Sequence, residues 1–253
     1  FHGSTGGTSL TIAGDGSEEI QVRPDGRAGV AVISVSTPTR TFAAKNVTFY
    51  VKAAKTITAA VFNPTLTLGS NASAIAATAV DSTGTNWAGA MYIVASAAAD
   101  ALVGGSATTP VACNAYSATD GYAKCDIFTL TTGTAKFKVI DAATVALATA
   151  TSNEVTTTVS SAVPASVKLS FDKATYAPGE KAQIWVTAVD AAGLALSERT
   201  ITSIFAAGGI TSSYAFGSGS DVITATSITT DTETVKTYKV FMPLTENTVT
   251  ITA

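Results

Sequence analysis

Few residues in this sequence are equipped for covalent or proton-transfer chemistry. There is one His, His2, and there are two Cys, Cys113 and Cys125. A lone His at a chain end removes most routes to His-based acid–base catalysis and to a His/Cys zinc site. It also leaves a Cys nucleophile without a partner base. Carboxylates can hydrolyse glycosides without His. The candidates are Asp15, Asp25, Asp81, Asp120, Asp172, Asp190, Asp221 and Asp231. Most sit in turn-like sequence, where Asp normally bonds its own backbone. The expectation is that no position is catalytic. Calcium could be held by turn carboxylates and backbone carbonyls, but no Asp-x-Asp-x-Asp loop exists. No cofactor is expected, with calcium kept as the one secondary candidate.

Other residues suggest binding or modification. Cys113 and Cys125 flank a turn-like stretch, Tyr116 to Tyr122. Two strands joined there would bring the thiols together, and one disulfide suits an exported β-domain. Two free buried thiols are the alternative. Asn46-Val47-Thr48 and Asn71-Ala72-Ser73 fit the N-glycosylation pattern, which arises by chance in Thr- and Ser-rich sequence. Trp87 and Trp185 could stack on sugars or pack at an interface, the role in which Trp is enriched. Trp185 alternates with Ile184 and Val186 and so faces the opposite side of its strand.

The elements that must position these residues are strands. The chain has 253 residues, 46% hydrophobic and 13% charged, against a usual charged share of about 25%. That composition excludes a solvated disordered tail and argues against a helical bundle. Thr and Ala are each roughly one residue in six, and β-branched side chains fit a pleated surface. Net charge is −3, with 15 scattered Lys and Arg. Nucleic-acid binding by counterion release is therefore not expected. No apolar run reaches about 18 residues, so no membrane span is expected. The sequence opens on Phe1-His2 without Met and stops in the strand-like Thr248–Ala253. Its ends read either as cut boundaries or as the limits of the ordered part of a longer chain.

An internal repeat organises the rest. Ala60-Val61-Phe62, Leu68-Gly69-Ser70 and Thr78-Ala79-Val80-Asp81-Ser82-Thr83-Gly84 recur as Leu169-Ser170-Phe171, Pro178-Gly179-Glu180 and Thr187-Ala188-Val189-Asp190-Ala191-Ala192-Gly193. In the second copy Val167, Leu169 and Phe171 alternate with Ser166, Lys168 and Ser170, a half-buried strand. Tyr176-Ala177-Pro178-Gly179 is a turn. Further strands are expected at 183–189, 203–206, 213–216, 222–228, 237–242 and 248–252. Met91 to Leu102 reads as a strand followed by one helical turn. In the first segment, strands are expected at 9–13, 19–23, 29–35 and 46–52, with a turn at Pro24-Asp25-Gly26. The pair 29–35 and 46–51 is similar to 136–140 and 154–159, and both are compared with 238–241 and 248–251. The expected architecture is all-β, tandem immunoglobulin-like β-sandwiches: 1–55 as the C-terminal half of one, then complete sandwiches at 56–162 and 163–253.

The repeated motifs resemble the opening of a bacterial immunoglobulin-like (invasin-type or "big") domain. The resemblance implies modules of extracellular proteins: surface-layer proteins, adhesins, phage virion proteins and extensions of secreted enzymes. The leading functional expectation is a structural, non-catalytic, self-associating module of a cell-surface array or fibre. One alternative is an adhesin or virion domain that binds carbohydrate or a host receptor. The other is a non-catalytic extension of a secreted hydrolase. The expected location is extracellular, at a cell surface or, alternatively, on a virion, with cell-wall or glycan contact in view. Residues 1–55 lack the opening strands of a sandwich, so those strands should come from upstream residues or from a neighbouring copy.

Overall fold

A computed structural model describes residues 27–106, 108–217, 223–224, 226–230 and 235–253, with Thr11 and Val22. The strands expected at 9–13 and 19–23, and the turn at 24–26, lie outside the described residues, as do Asp15, Asp25, Asp221 and Asp231. The chain divides into two compact units, residues 1–49 and 50–253.

In the first unit, β1 (Gly29–Ile33) and β2 (Lys45–Phe49) form an antiparallel hairpin, with Gly29 opposite Phe49 and Ile33 opposite Lys45. The connection turns at Thr37–Arg40, where the Thr37 N–H donates to the Arg40 carbonyl at 2.7 Å. Val47 and Phe49 alternate with Asn46 and Thr48, and the apolar set is the less exposed one.

In the second unit, the first half follows the alternation of its sequence. Its strands are β3 (Thr56–Val61), β4 (Thr65–Thr67), β5 (Gly69–Val80), β6 (Tyr92–Ala95), then helix α1 (Ala98–Gly104). After these come β7 (Val111–Ala112), β8 (Ala123–Thr129), β9 (Gly133–Ile140) and β10 (Val155–Ser160). One sheet has the order β3-β5-β8 and the other β4-β10-β9-β6-β7. Among the described residues only β4 and β10 run parallel. Splitting the opening strand between the two sheets, with its second part beside the last strand, gives an immunoglobulin-like sandwich. Ala135, Phe137 and Val139 point inward from β9, while Lys136 and Lys138 point outward to Glu154 at 3.0 and 3.8 Å. Helix α1 ends where Gly104 approaches Phe137 so closely that a Cβ would lie 2.2 Å from the ring.

The second half contains β11 (Ser166–Phe171), β12 (Lys181–Val189), β13 (Thr200–Ile201), β14 (Thr211–Ser212), β15 (Ile228–Thr229), β16 (Val235–Phe241) and β17 (Ile251–Thr252). The sheet β11-β12-β16 repeats β3-β5-β8. Ala182, Ile184, Val186 and Ala188 are buried in one face of β12, and Trp185 stands on the other. Two hydrophobic clusters result, one built from residues 54–159 and one from 182–242.

The structure corrects several details. Residues 235–241 pair with β12, so they are the counterpart of β8 and not of β9; the comparison of 238–241 with 136–140 is wrong. Val249 and Ile251 pack on the second cluster, and β17 pairs with β14 as β9 pairs with β6. The strands expected at 203–206 and 213–216 are absent there. Ser203 has φ +52°, Gly208 φ +105° and Gly209 φ +69°, and these left-handed positions break the extended run. The short strands fall instead at 200–201 and 211–212.

Candidate functional site

The groups brought together by the fold form a joint, built twice. Asp81 and Asp190 are almost fully buried, 2% and 3% exposed. Each closes the turn that follows its strand. The Asp81 Oδ1 accepts from the Thr83 and Thr85 N–H groups at 2.8 and 3.0 Å and from the Thr83 hydroxyl at 2.7 Å. Asp190 Oδ1 accepts from the Ala192 and Leu194 N–H groups, both at 2.9 Å. Gly84 and Gly193 supply the positive φ, +80° and +77°, that these turns need.

The second carboxylate oxygen reaches back along the chain. Oδ2 of Asp81 accepts from the Val51 N–H at 2.8 Å, and Oδ2 of Asp190 from the Ser161 N–H at 2.9 Å. One residue on, the Lys52 carbonyl accepts from Trp87 Nε1 at 3.2 Å, and the Ala162 carbonyl accepts from the Arg199 guanidinium. The Lys55 and Ala165 N–H groups then donate to the Val80 and Val189 carbonyls, both at 2.8 Å. The segment leading into each opening strand is thus pinned at three successive points, in the same order in both copies.

Burial works against the charge of Asp81, but the hydrogen bonds from Val51, Thr83 and Thr85 outweigh it and bring its pKa to about 2. Asp190 is lowered by the same balance, burial opposing the bonds from Ser161, Leu194 and Ala192. A carboxyl depressed in the folded state stabilises it above the unfolded pKa, and that stability is lost as pH falls through the folded value. Thermal stability should therefore be level above about pH 5 and fall between about pH 4 and 2. Asp190→Asn should flatten that fall. A melting temperature insensitive to pH over this range would contradict the assignment.

The other singled-out residues are separate from the joint or serve it. Cys113 and Cys125 form a disulfide twelve residues apart in sequence. It links the segment after β7, in one sheet, to β8 in the other, and Cys125 is fully buried. Trp87 must be corrected as a candidate surface: it is 5% exposed, in the first cluster, with Tyr50 edge-on at 6.1 Å. It is the Trp whose indole N–H holds the linker. Trp185 is 42% exposed between Ser170 and Thr237 on neighbouring strands. Asn71 must be corrected as a glycan acceptor. Its Nδ2 already donates to the Thr67 and Gly69 carbonyls at 2.8 and 3.0 Å, and its Oδ1 accepts from the Thr67 N–H. Asn46 is exposed on β2. Asp120 is held by turn geometry, near Lys124 at 3.5 Å. Asp172 accepts from the Tyr176 hydroxyl and the Gln183 N–H. Among the described residues no three His, Cys, Asp or Glu side chains come together, and no helix is long and apolar enough to cross a membrane.

Sequence reasoning found Asp81 and Asp190 through their duplication, but it missed what they grip. The donors are backbone N–H groups of Val51 and Ser161, and a main-chain donor leaves no mark in residue type.

No protein-family model matches the chain, and no curated protein sequence does. Solved structures with a similar trace include the FdeC adhesin of Escherichia coli, at 16% identity and a TM-score of 0.33, over 88% of this chain and 68% of that one. The surface-layer protein SbsC is similar through its domains 4–9, at 14% identity and a TM-score of 0.24. A longer piece of SbsC, residues 31–844, aligns at 16% identity and a TM-score of 0.28. Both SbsC alignments cover 88% of this chain, which spans about a third of their length, 33% and 30%. At these scores the likenesses carry no residue across. What defines the class is the chain's own architecture: an all-β protein of sandwich type with a repeated linker joint.

Proposed function

We infer that the chain is a non-catalytic structural module of an extracellular cell-surface assembly, a surface layer or filament, and that it self-associates. The observation that supports this most is the repeated joint. A buried carboxylate duplicated to fix the linker before a sandwich gives the chain a defined path and resists its unravelling. Neither effect is needed at a catalytic centre, which works as a single copy. The disulfide suits an oxidising compartment. Surface labelling of intact producing cells with antibodies to the chain tests the location: labelling without permeabilisation is expected, and a cytoplasmic protein inaccessible to antibody would refute it. Hydrolysis of a glycan or peptide by the purified chain, abolished by one carboxylate substitution, would refute the non-catalytic part.

The second reading, an adhesin or virion domain for carbohydrate, is favoured by one observation, the exposed indole of Trp185 amid Ser and Thr. Trp185→Ala should change stability by no more than about 1 kcal/mol, because its strand face is the outer one. Glycan binding by the native chain that disappears in this variant would establish the second reading over the first.

A further inference from the structure

The central sandwich opens and closes on strands that lie side by side and run the same way. β4 and β10 pair in parallel, Thr65 with Thr158, Leu66 with Val159 and Thr67 with Ser160. β3 and β4 are the two parts of the opening strand, and β10 is the last strand before the linker at 161–165. The chain therefore enters this sandwich at one end of the pair and leaves at the other. Had the two strands been antiparallel, entry and exit would share one end.

Both parts of the opening strand are tied to the closing segment. Asn153, just ahead of β10, stands in for a strand residue beside β3: its Oδ1 accepts from the Ala59 N–H and its Nδ2 donates to the Ala59 carbonyl, both at 2.9 Å. The Thr158 N–H donates to the Pro64 carbonyl at 3.2 Å, and the Ser160 hydroxyl donates to the Leu66 carbonyl at 3.5 Å. The end of β4 is fixed in turn to the rest of the sandwich. The Thr67 N–H donates to Asn71 Oδ1 at 2.9 Å, and the Thr67 carbonyl accepts from the Thr129 hydroxyl at 2.6 Å. Leu66, Val159 and Ser160 are buried, so water does not reach the pair to replace its bonds one by one. Both ends are held close: Val51, Lys52 and Lys55 are bonded ahead of β3, and Ser161, the residue after β10, is bonded to Asp190.

We propose that the central sandwich is a mechanical link that resists tension along the chain, with the β4–β10 pair and the Asn153 staple as its clamp. Force applied through the two ends of the chain draws β4 and β10 in opposite directions along their own axes. The bonds between them then share the force and must fail together. A strand peeled from one end breaks its bonds one after another, at a lower force. Forced unfolding follows the unfolding rate and not the equilibrium stability. The disulfide separates these two quantities. It acts mainly on the unfolded chain, and it ties β8 to the segment after β7, the strands at the sheet edges opposite β3 and β4. Reduction should lower equilibrium stability and leave the barrier to forced unfolding almost untouched. This role goes beyond the location and self-association read above and depends on neither.

The test stretches the full chain, one molecule at a time, through its two ends. The bridge marks the central event. It hides twelve residues, so reduction should lengthen that event alone by about 40 Å, at roughly 3.5 Å per residue. The peak force of the event should change by less than about a fifth on reduction. Next, the N-terminal handle is moved to Thr132→Cys, an exposed position in the turn before β9, the native thiols being already joined. The same event should then need about half the force or less, because β10 is peeled from β9 starting at Gly133 and Val159. Thr158→Pro deletes the N–H bonded to Pro64 and spares the bonds to β9, which come from the alternate residues 157 and 159. It should lower the end-to-end force by about a third or more. A larger fall on reduction, equal force in the two geometries, or native force in Thr158→Pro each overturns the proposal. If Thr158→Pro does not fold, the two geometries decide alone.

Discussion

Replacing both cysteines with Ser should lower the stability of the central sandwich by about 3 kcal/mol, the loop-closure entropy released by a bridge over twelve residues. The bridge ties the end of one sheet to the other where β7 contributes only two residues of pairing. Without it, the segment 113–122 is still held by the Cys113 N–H donating to the Met91 carbonyl at 2.9 Å, the Asn114 N–H donating to the Lys124 carbonyl at 2.8 Å and its own turn, with the Ser117 N–H donating to the Tyr122 carbonyl at 3.1 Å. The loss should be confined. Amide exchange in β8 and around Cys113 should quicken first, while β11, β12 and β16, which belong to the other cluster, keep their protection. Exchange measured on reduced and oxidised chain decides this. Uniform quickening across both clusters would show that the halves of the second unit unfold together.

The second large effect is expected at the joint. Asp190→Ala removes the acceptor for three backbone N–H groups, those of Ser161, Ala192 and Leu194. Leaving buried donors unpaired costs more than the bonds contribute net. The apparent melting temperature of the second hydrophobic cluster should fall by about 5–10 °C. Asp190→Asn, which keeps acceptor oxygen but not charge, should recover part of it. Proteolysis should cut at 160–164 in the Ala variant and leave that segment intact in the native chain. A variant with native melting and an uncut linker would show that the carboxylate merely decorates its turn.

Sequence showed strand character well and strand partnership poorly. Ser166–Phe171 and Gln183–Val189 were legible because one face is buried and the period of two is clean. The misassignment of 238–241 has a physical origin. Tyr238 and Val240 alternate with Lys239 in the same manner as Phe137 and Val139 with Lys138, so the pattern records a half-buried strand but not which neighbour it joins. Trp87 was misread because an indole N–H satisfied by a backbone carbonyl, here Lys52, can be buried without a polar partner visible in the sequence. Asn71 was misread because a glycosylation triplet is blind to the loop that consumes its amide. The Asp pair was legible as a duplication and as a turn, while its reach to a residue about thirty positions upstream needed coordinates.

The joint recognises the main chain of its linker. Val51 and Ser161 share no side-chain property, nor do Lys52 and Ala162, yet each pair is held alike. Any non-proline residue can present that N–H, and every residue presents the carbonyl. A sandwich carrying such an Asp can therefore follow almost any predecessor without a matched linker sequence. Gene duplication and shuffling can lengthen or reorder a chain of such units while each junction stays formed, so total length can change faster in evolution than the way one unit is fastened to the next.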